Sequence, residues 1–354
     1  MQNFAGKLAV VTGGGSGIGR ELVRQLAAQG CNVALCDVSA RSMAQTRALC
    51  EAAGMPPQTR LTTHLADVSD EAQVLRFRDA ALSEHDTARV HLLFNNAGIG
   101  GGGSLFSDSR KQWEKTFAVC WGGVYFCTRA FLPMLVAAEA AHIVNTSSVN
   151  GFWASLGPDV PHTAYCAAKF AVKGFTEALI SDLRLNAPHV KCSLVMPGHI
   201  GTGIVANSRR VHYGTDSDSM GPEQLADLRR RLAASGRDLS QISDAQLEAS
   251  AIERARQFQD NAPTTAAEAA TIILDGVRRE RWRILVGEDA HSIDQLVRQT
   301  PEDAYEADFF CGHRDQNRVA GWPLTCRRKA AARARPPFFV RTSAPRAGQT
   351  GQWW

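Results

Sequence analysis

The chain has 354 residues, 44% of them hydrophobic and 21% charged, which is typical of a globular protein with a large core. No apolar run reaches the roughly 18 residues of a transmembrane helix, and an apolar strand begins at Leu8, so we expect neither a membrane partner nor a signal peptide. The net charge of +4 combines a mildly acidic body with a basic end, because residues 311–354 hold nine Arg or Lys and a single Asp. We expect no nucleic-acid partner for the body.

The nine cysteines are scattered and lack the short paired spacings of metal sites. Five lie in apolar segments and are predicted to be small buried side chains in a reducing compartment: Cys31, Cys36, Cys127, Cys166 and Cys192. We therefore expect a cytoplasmic protein without a metal site.

Short apolar runs alternate with helical patterns along the first part of the chain. Near-continuous apolar strands separated by helices predict an α/β fold, with a doubly wound parallel sheet covered on both faces as three α/β/α layers. The predicted strands are residues 8–11, 33–35, 60–65, 91–94, 143–144, 192–196 and 281–287.

A polar, mostly helical insertion is predicted over residues 199–263, with helices at 222–234 and 243–259 and a mobile loop at 213–220. It follows a strand end, where ligands sit in open α/β sheets, so we expect it to cover a substrate. The alternative is a solvated surface excursion. The helix after it, 265–279, has Thr264 or Thr265 as a possible N-cap and Glu268 in its first turn.

We predict one domain over residues 1–310 and a disordered tail over 311–354, which is rich in Arg, Pro, Ala and Gly. A basic tail can contact nucleic acid or lipid, and the salt dependence of binding would reveal it. We favour a tail without such a partner.

The segment Thr12-Gly-Gly-Gly-Ser-Gly-Ile-Gly19 joins a predicted strand to a predicted helix. Glycines permit a tight turn and a close approach of backbone to phosphate, and the helix N-terminus favours an anion. A lone glycine string is weak evidence, but its place between strand and helix strengthens it. Asp37, at the end of the second strand, can bind an adenosine ribose and would repel a 2′-phosphate, so we predict NAD over NADP. Asp37 as a helix N-cap is the compatible alternative.

A Tyr and a Lys four residues apart lie on one helix face. A free tyrosine has a pKa of about 10, and a nearby ammonium favours its ionised form. Lowering that pKa by roughly three units takes about 4 kcal/mol, which Lys169 and a nicotinamide cation can share. Tyr165 would then take a proton from an alcohol, or return it to a carbonyl.

The ordered motifs resemble those of the classical short-chain dehydrogenases/reductases over roughly residues 4–205. They are the glycine turn, Asp67-Val68, Asn95-Asn-Ala-Gly98, Ser148, Tyr165-x-x-x-Lys169 and Pro197-Gly198 with Thr202. The resemblance implies a seven-stranded Rossmann fold that binds NAD(P). It implies Ser148, Tyr165 and Lys169 as catalytic residues, with Ser148 preferred over Ser147.

The resemblance also implies the residues that hold the cofactor from the pyrophosphate to the adenine and nicotinamide ends. They are Gly13, Ser16, Gly17, Ile18, Gly19, Asp37, Asp67, Val68, Asn95, Ala97, Gly98, Tyr165, Lys169, Pro197, Gly198, Ile200 and Thr202. Members of the family form dimers or tetramers through helices that correspond here to residues 121–138 and 163–185, so a homodimer or homotetramer is expected.

Two departures from the family pattern stand out. Cys120 occupies the position of an Asn that helps to place a water near the catalytic Lys, and a buried structural thiol is the favoured interpretation. Ser148 and Tyr165 are seventeen residues apart, about four more than usual, which predicts a loop extension over residues 155–162. We expect Phe152 and Trp153 to sit over the substrate. His162 could contact the substrate, but we favour a His162 that faces solvent.

The sequence thus predicts an NAD-dependent oxidoreductase that interconverts a secondary, apolar alcohol and its carbonyl product. Phe152, Trp153 and Ile204 favour an apolar substrate, and the flexible run at residues 100–104 would tolerate a bulky one. The same residues serve either direction. The alternative from another class is a catalytically weak NAD-binding sensor or scaffold of the same fold.

Overall fold

The computed structural model describes residues 1–156, 160–215, 219–234, 236–306 and 309. The tail over 311–354 that the sequence predicts to be disordered lies outside this part of the chain.

Seven parallel strands form the central sheet in the order β3-β2-β1-β4-β5-β6-β9. Each strand predicted from an apolar run is present, with its ends shifted by a few residues. Their bounds are β1 Leu8–Thr12, β2 Asn32–Asp37, β3 Leu61–Leu65, β4 Leu92–Asn95, β5 Ala141–Thr146, β6 Val190–Pro197 and β9 Arg283–Val286.

Helices cover both faces of the sheet and complete the predicted three-layer Rossmann fold. Those of the first two-thirds of the chain are α1 Gly17–Ala28, α2 Ala40–Ala52, α3 Glu71–Glu84, α4 Arg110–Phe117, α5 Gly123–Val136 and α6 Thr163–Asn186. The later ones are α7 Ile204–Tyr213, α8 Pro222–Ala234, α9 Asp244–Asp260, α10 Ala266–Arg278 and α11 Glu288–Gln299.

The buried strands are apolar along their whole length because each contributes to two cores. In β1, Ala9 and Val11 join a cluster with α1, α2 and α10, whereas Leu8 and Val10 join a second cluster with α3, α5 and α6. Successive side chains of a strand point to opposite faces, so a doubly covered sheet requires apolar residues at every position. The five cysteines predicted to be buried are indeed buried.

The two ends of the insertion are held together by a small sheet that is separate from the main one. Strand β7, Ile200–Gly201, pairs in parallel with strand β8, Thr264–Thr265, so that a two-stranded sheet closes its base. Of the two N-cap candidates, Thr264 and Thr265, it is Thr265 that caps α10, in a capping box with Glu268. The predicted helix at 222–234 is α8 and the one at 243–259 is α9, while α7 was not foreseen.

Among the described residues, one helical stretch, Arg110–Val136, is both long enough and apolar enough to cross a membrane, judged by length and composition alone. Half of its most apolar window is buried, and α5 packs on α3, β4 and β5. We interpret it as a core helix of this fold, interrupted by a π-helical turn over Ala118–Gly122.

Candidate active site

A cavity of about 1160 Å³ lies at the carboxyl ends of the strands, where ligands bind in doubly wound sheets. Its floor runs from the glycine turn after β1 to the ends of β5 and β6, and the insertion forms its roof. Most of the predicted site residues line it. Asn95 and Gly19 are the exceptions.

The glycine turn is shaped for close backbone packing. Gly13 and Gly17 have φ angles of +67° and +52°, which favour glycine. A Cβ at Gly13 would lie 2.9 Å from the Ala97 Cα, and one at Gly19 would lie 2.1 Å from the carbonyl oxygen of Gly13. Gly19 therefore permits packing of helix on strand, while Gly13, Ser16, Gly17 and Ile18 line the cavity.

Asp37 points into the cavity from the end of β2. Its Oδ2 accepts a hydrogen bond from the Gly15 N–H and its Oδ1 accepts one from the Ser39 N–H, both at 3.0 Å. Burial raises the pKa of Asp37, and these backbone hydrogen bonds oppose the rise. Ser39, not Asp37, caps α2, so the alternative role of Asp37 as the N-cap is wrong. Each oxygen retains a lone pair for a ribose hydroxyl.

The opposite wall carries Asp67 and Val68 just after β3. The Lys115 ammonium donates to Asp67 Oδ2 at 2.5 Å, and the Ser69 N–H donates to Oδ1 at 2.9 Å. Burial would raise the pKa of Asp67, but the hydrogen bonds from Lys115 and Ser69 outweigh it and lower that pKa. Lys115 also lines the cavity, although the sequence motifs did not identify it.

Asn95 does not lie along the cofactor cleft as expected. Its buried amide donates to Thr128 Oγ1 at 3.0 Å and to Asn145 Oδ1 at 2.8 Å, which ties β4 to α5 and β5. The next residue, Asn96, lines the cavity and donates to the Thr12 carbonyl at 3.1 Å. The prediction therefore needs correction at Asn95, whereas Ala97 and Gly98 do line the cleft.

Ser148, Tyr165 and Lys169 converge on the floor of the cavity. Ser148 follows β5, while Tyr165 and Lys169 occupy one face of α6. Lys169 Nζ lies 5.3 Å from the Tyr165 ring centroid and donates to the Thr146 carbonyl at 2.8 Å. Ser147 donates instead to the Lys169 carbonyl at 2.8 Å, so its hydroxyl is committed to packing α6 on β5.

The electrostatics of the triad are dominated by burial. Burial raises the pKa of Tyr165 above its usual range, the nearby Cys120 adds to the rise, and the Ser148 hydroxyl opposes it. Burial also lowers the pKa of Lys169. In the protein by itself these effects favour the neutral form of Tyr165, and the predicted lowering of its pKa depends on Lys169 and a nicotinamide cation together.

Cys120 lies in the π-helical turn, where single-turn π-bulges often mark functional sites. Its thiol is fully buried, donates to the Ile99 carbonyl at 3.1 Å and accepts from the Ile99 N–H at 3.4 Å. A Cβ at Gly98 would lie 3.5 Å from Lys169 Nζ and 3.7 Å from Cys120 Sγ, so this thiol borders the catalytic group. The structural interpretation of Cys120 agrees with these contacts.

The chain after β6 forms the end of the cavity beyond Tyr165. Pro197, Gly198, Ile200 and Thr202 all line it. A Cβ at Gly198 would lie 2.3 Å from the buried Asp289 carboxylate, whose Oδ2 accepts from the His199 N–H at 2.6 Å. Only glycine fits between this turn and α11.

Phe152 and Trp153 do not sit over the substrate. Trp153 is 2% exposed, and its indole N–H donates to the Ala304 carbonyl at 2.8 Å. It packs with Ile293 and Leu296 of α11, while Phe152 packs at the edge of the same cluster. The apolar lining comes instead from Val149, Leu156, Val160, Ile204, Val205, Val211, Met220, Leu228 and Phe258.

Two further expectations concern the walls of the cleft. The run 100–103 is closely packed, since a Cβ at Gly102 would lie 2.6 Å from the Trp113 Cα and one at Gly103 would lie 2.3 Å from the Pro161 carbonyl oxygen. His162 is partly exposed, and its ring lines the cavity 4.7 Å from the Tyr165 ring. Burial lowers the pKa of His162 to about 4.

Helix α7 bridges the two walls of the cleft. Asn207 Nδ2 donates to Ser16 Oγ at 3.1 Å on the glycine-turn side. On the other side, the Gly100 N–H donates to Ser208 Oγ at 2.7 Å, and His212 Nε2 lies 2.7 Å from the Gly100 carbonyl oxygen. These contacts hold α7 over the cavity.

A family model for short chain dehydrogenases matches residues 7–212, more than half of the chain. The chain belongs to the short-chain dehydrogenase/reductase family. Within the family, it is 34% identical over 299 residues to SadH of Mycobacterium tuberculosis, named as an oxidoreductase, and the match covers 84% of this chain and 92% of SadH. It is 30% identical over 223 residues to estradiol 17-beta-dehydrogenase 11 of Macaca fascicularis, covering 62% of this chain and 68% of that one.

Solved structures of the family agree with this fold. A short-chain dehydrogenase/reductase from Burkholderia phymatum in complex with NAD matches with a TM-score of 0.66 and 35% identity, over 86% of this chain and 95% of that one. Levodione reductase matches with a TM-score of 0.60 and 25% identity, over 82% and 98% of the two chains. Membership of this family makes the protein an oxidoreductase and supports a nicotinamide nucleotide as its cofactor.

Proposed function

We propose that the protein is an NAD-dependent dehydrogenase that interconverts a secondary, largely apolar alcohol and its carbonyl product, with Tyr165 as the acid and base. The observation that carries this proposal is the convergence of Ser148, Tyr165 and Lys169 in the same cavity as the glycine turn and Asp37. One continuous site can therefore hold a dinucleotide and a small substrate side by side.

The residues present fit a nicotinamide dinucleotide. The glycine turn leaves no room for a Cβ at Gly13 or Gly15, so its backbone can approach a pyrophosphate closely. Asp37 would accept hydrogen bonds from the adenosine ribose hydroxyls, and Lys169 would donate one to a hydroxyl of the nicotinamide ribose. The bound cofactor supplies or accepts the hydride, and its positive charge in the oxidised form favours the phenolate of Tyr165.

Side chains of the protein itself would carry out the proton transfer. Ser148 would hydrogen-bond the reacting oxygen, and the Tyr165 hydroxyl would exchange a proton with it. Because burial keeps Tyr165 neutral, the protein alone is prepared to donate a proton to a carbonyl. Oxidation requires extra stabilisation of the phenolate, from Lys169 and the oxidised nicotinamide together.

A preference for NAD over NADP is supported by the Asp37 carboxylate, which would repel a 2′-phosphate. The NAD complex of the Burkholderia phymatum relative agrees with this preference. An apolar substrate is supported by the aliphatic side chains that α7, α8 and the 155–162 loop contribute to the cavity.

We also propose that residues 199–263 cover the substrate, that the enzyme is cytoplasmic and that it assembles as a homodimer or homotetramer. An aromatic cluster of Trp121 in the π-helical turn, Tyr125 on α5 and Phe175 on α6 supports the assembly, since Tyr125 is partly exposed. Sedimentation of the whole chain as a monomer would contradict it.

The function is tested by measuring NADH formation from secondary alcohols, including cyclohexanol and 2-octanol, with NAD or NADP. We expect turnover with a clear preference for NAD, and Asp37→Ala should reduce that preference. Saturable NAD binding without turnover of any alcohol would favour the sensor or scaffold. A preference for NADP would overturn the cofactor assignment.

A further inference from the structure

His162 occupies a place beside the catalytic hydroxyl that the mechanism does not use. It is the N-cap residue of α6, three residues before Tyr165. The ring centroids are 4.7 Å apart with an interplanar angle of 32°. A Cβ at Gly100 would lie 4.0 Å from His162 Cε1, so the imidazole lies close to both Tyr165 and the segment after β4.

The imidazole faces the cavity with its polar atoms uncommitted. Its side chain does not cap α6, and no hydrogen bond from the described part of the chain reaches either ring nitrogen. The same cavity is also lined by the aliphatic side chains of Val149, Leu156 and Val160. The imidazole is only partly buried, so a ligand in the cavity can reach its ring nitrogens.

The charge state of His162 defines what it can recognise. Burial lowers its pKa to about 4, so the ring is neutral at physiological pH. A neutral imidazole offers one donor and one acceptor, which suits a hydroxyl or a carbonyl group. A carboxylate would find no cation at this ring.

We propose that His162 is a specificity-determining residue that hydrogen-bonds a second hydroxyl or carbonyl group on the carbon next to the reacting carbinol. The substrates would therefore be vicinal diols, and in the reverse direction α-hydroxy ketones, on an apolar skeleton. Because the two rings are in contact and both line the cavity, a substrate oxygen next to the one held by Tyr165 lies within reach of the imidazole. This inference rests on the proposed dehydrogenase function and narrows its substrate class.

The experiment compares kcat/KM with NAD for cyclohexanol and cyclohexane-1,2-diol, which differ only in the second hydroxyl. The wild type, His162→Leu and His162→Gln are measured together. Leu removes both polar atoms, whereas Gln keeps a donor and an acceptor on a side chain of similar reach. A hydrogen bond made only by the diol predicts that the wild type prefers the diol by about tenfold or more.

We expect His162→Leu to lose this preference, measured as the ratio of kcat/KM for the two alcohols within each enzyme, and His162→Gln to restore most of it. Equal kcat/KM for both alcohols in the wild type, or an unchanged preference in His162→Leu, would overturn the inference. So would a wild type that oxidises 2-octanol but not the diol. Failure of the wild type to oxidise any alcohol in the panel would instead refute the proposed function, and the inference with it.

Discussion

At the scale of single residues, Cys120 shows how a departure from the family pattern is accommodated. An amide at this position can donate to the Ile99 carbonyl and accept from the Ile99 N–H, as the thiol does now. We therefore predict that Cys120→Asn retains the fold and leaves kcat unchanged or higher, because an amide also offers water a stronger partner. Thermal unfolding and steady-state kinetics measure both quantities. A large loss of kcat in a folded Cys120→Asn variant would contradict the prediction.

A second residue-scale prediction concerns the pH dependence of catalysis. Burial raises the pKa of Tyr165, so its ionised form, which removes the alcohol proton, becomes more abundant as pH rises. We predict that kcat/KM for alcohol oxidation increases with pH through the alkaline range, while carbonyl reduction stays level until Tyr165 begins to ionise. Rate profiles in both directions test this. Oxidation that declines from neutral to alkaline pH in a stable enzyme would refute it.

At the scale of elements, α7 links the insertion to the phosphate-binding turn. Asn207 donates to Ser16 and also accepts from Arg210 Nη1 at 2.8 Å, so its amide joins the roof to the floor. We predict that Asn207→Ala weakens NAD binding by about three- to tenfold, since one hydrogen bond is lost. Calorimetry measures the dissociation constant. Val205→Ala, elsewhere on α7, serves as the control, and equal effects of the two variants would contradict the role of Asn207.

The elements also show what the sequence can and cannot reveal. Doubly buried strands are apolar at every position, and the Thr265–Glu268 capping box is a local signal, so both were predictable. Helix α7 was missed because hydrogen bonds to distant walls stabilise it, although Gly214 at φ +63° after its last turn is a usable C-terminal signal. The direction of Trp153 depends on Ala304, 151 residues away, which no local pattern encodes.

At the scale of the whole molecule, buried histidines make stability depend on pH. Burial lowers the pKa of His142 and of His85 to about 4. In the unfolded chain these imidazoles have the ordinary pKa of 6.5 and take up protons near that pH. The free energy of unfolding is therefore at its full value above pH 6.5, and it falls as pH drops from about 6.5 to 4. His142 is 1% exposed, and its contribution is on the order of 3 kcal/mol.

We predict that the midpoint of thermal unfolding falls over this interval, and that His142→Gln flattens the fall. An amide can keep a hydrogen bond to Ser193 Oγ, which His142 Nε2 contacts at 2.7 Å, without taking up a proton. His189→Gln, on a partly exposed residue whose Nε2 lies 3.0 Å from the Val136 carbonyl oxygen, is the matched control. A His142→Gln variant whose pH dependence equals that of the wild type would show that His142 is not the source.

The central claim for the whole molecule is that the Tyr165 hydroxyl transfers the proton. The same claim requires that NAD binding does not depend on that hydroxyl. The most direct measurement is kcat for the best alcohol in the panel, together with the NAD dissociation constant, for the wild type and Tyr165→Phe. We predict a fall in kcat of at least about a hundredfold with NAD affinity little changed, because only the reacting hydroxyl is removed. A Tyr165→Phe enzyme with near wild-type kcat would contradict the account.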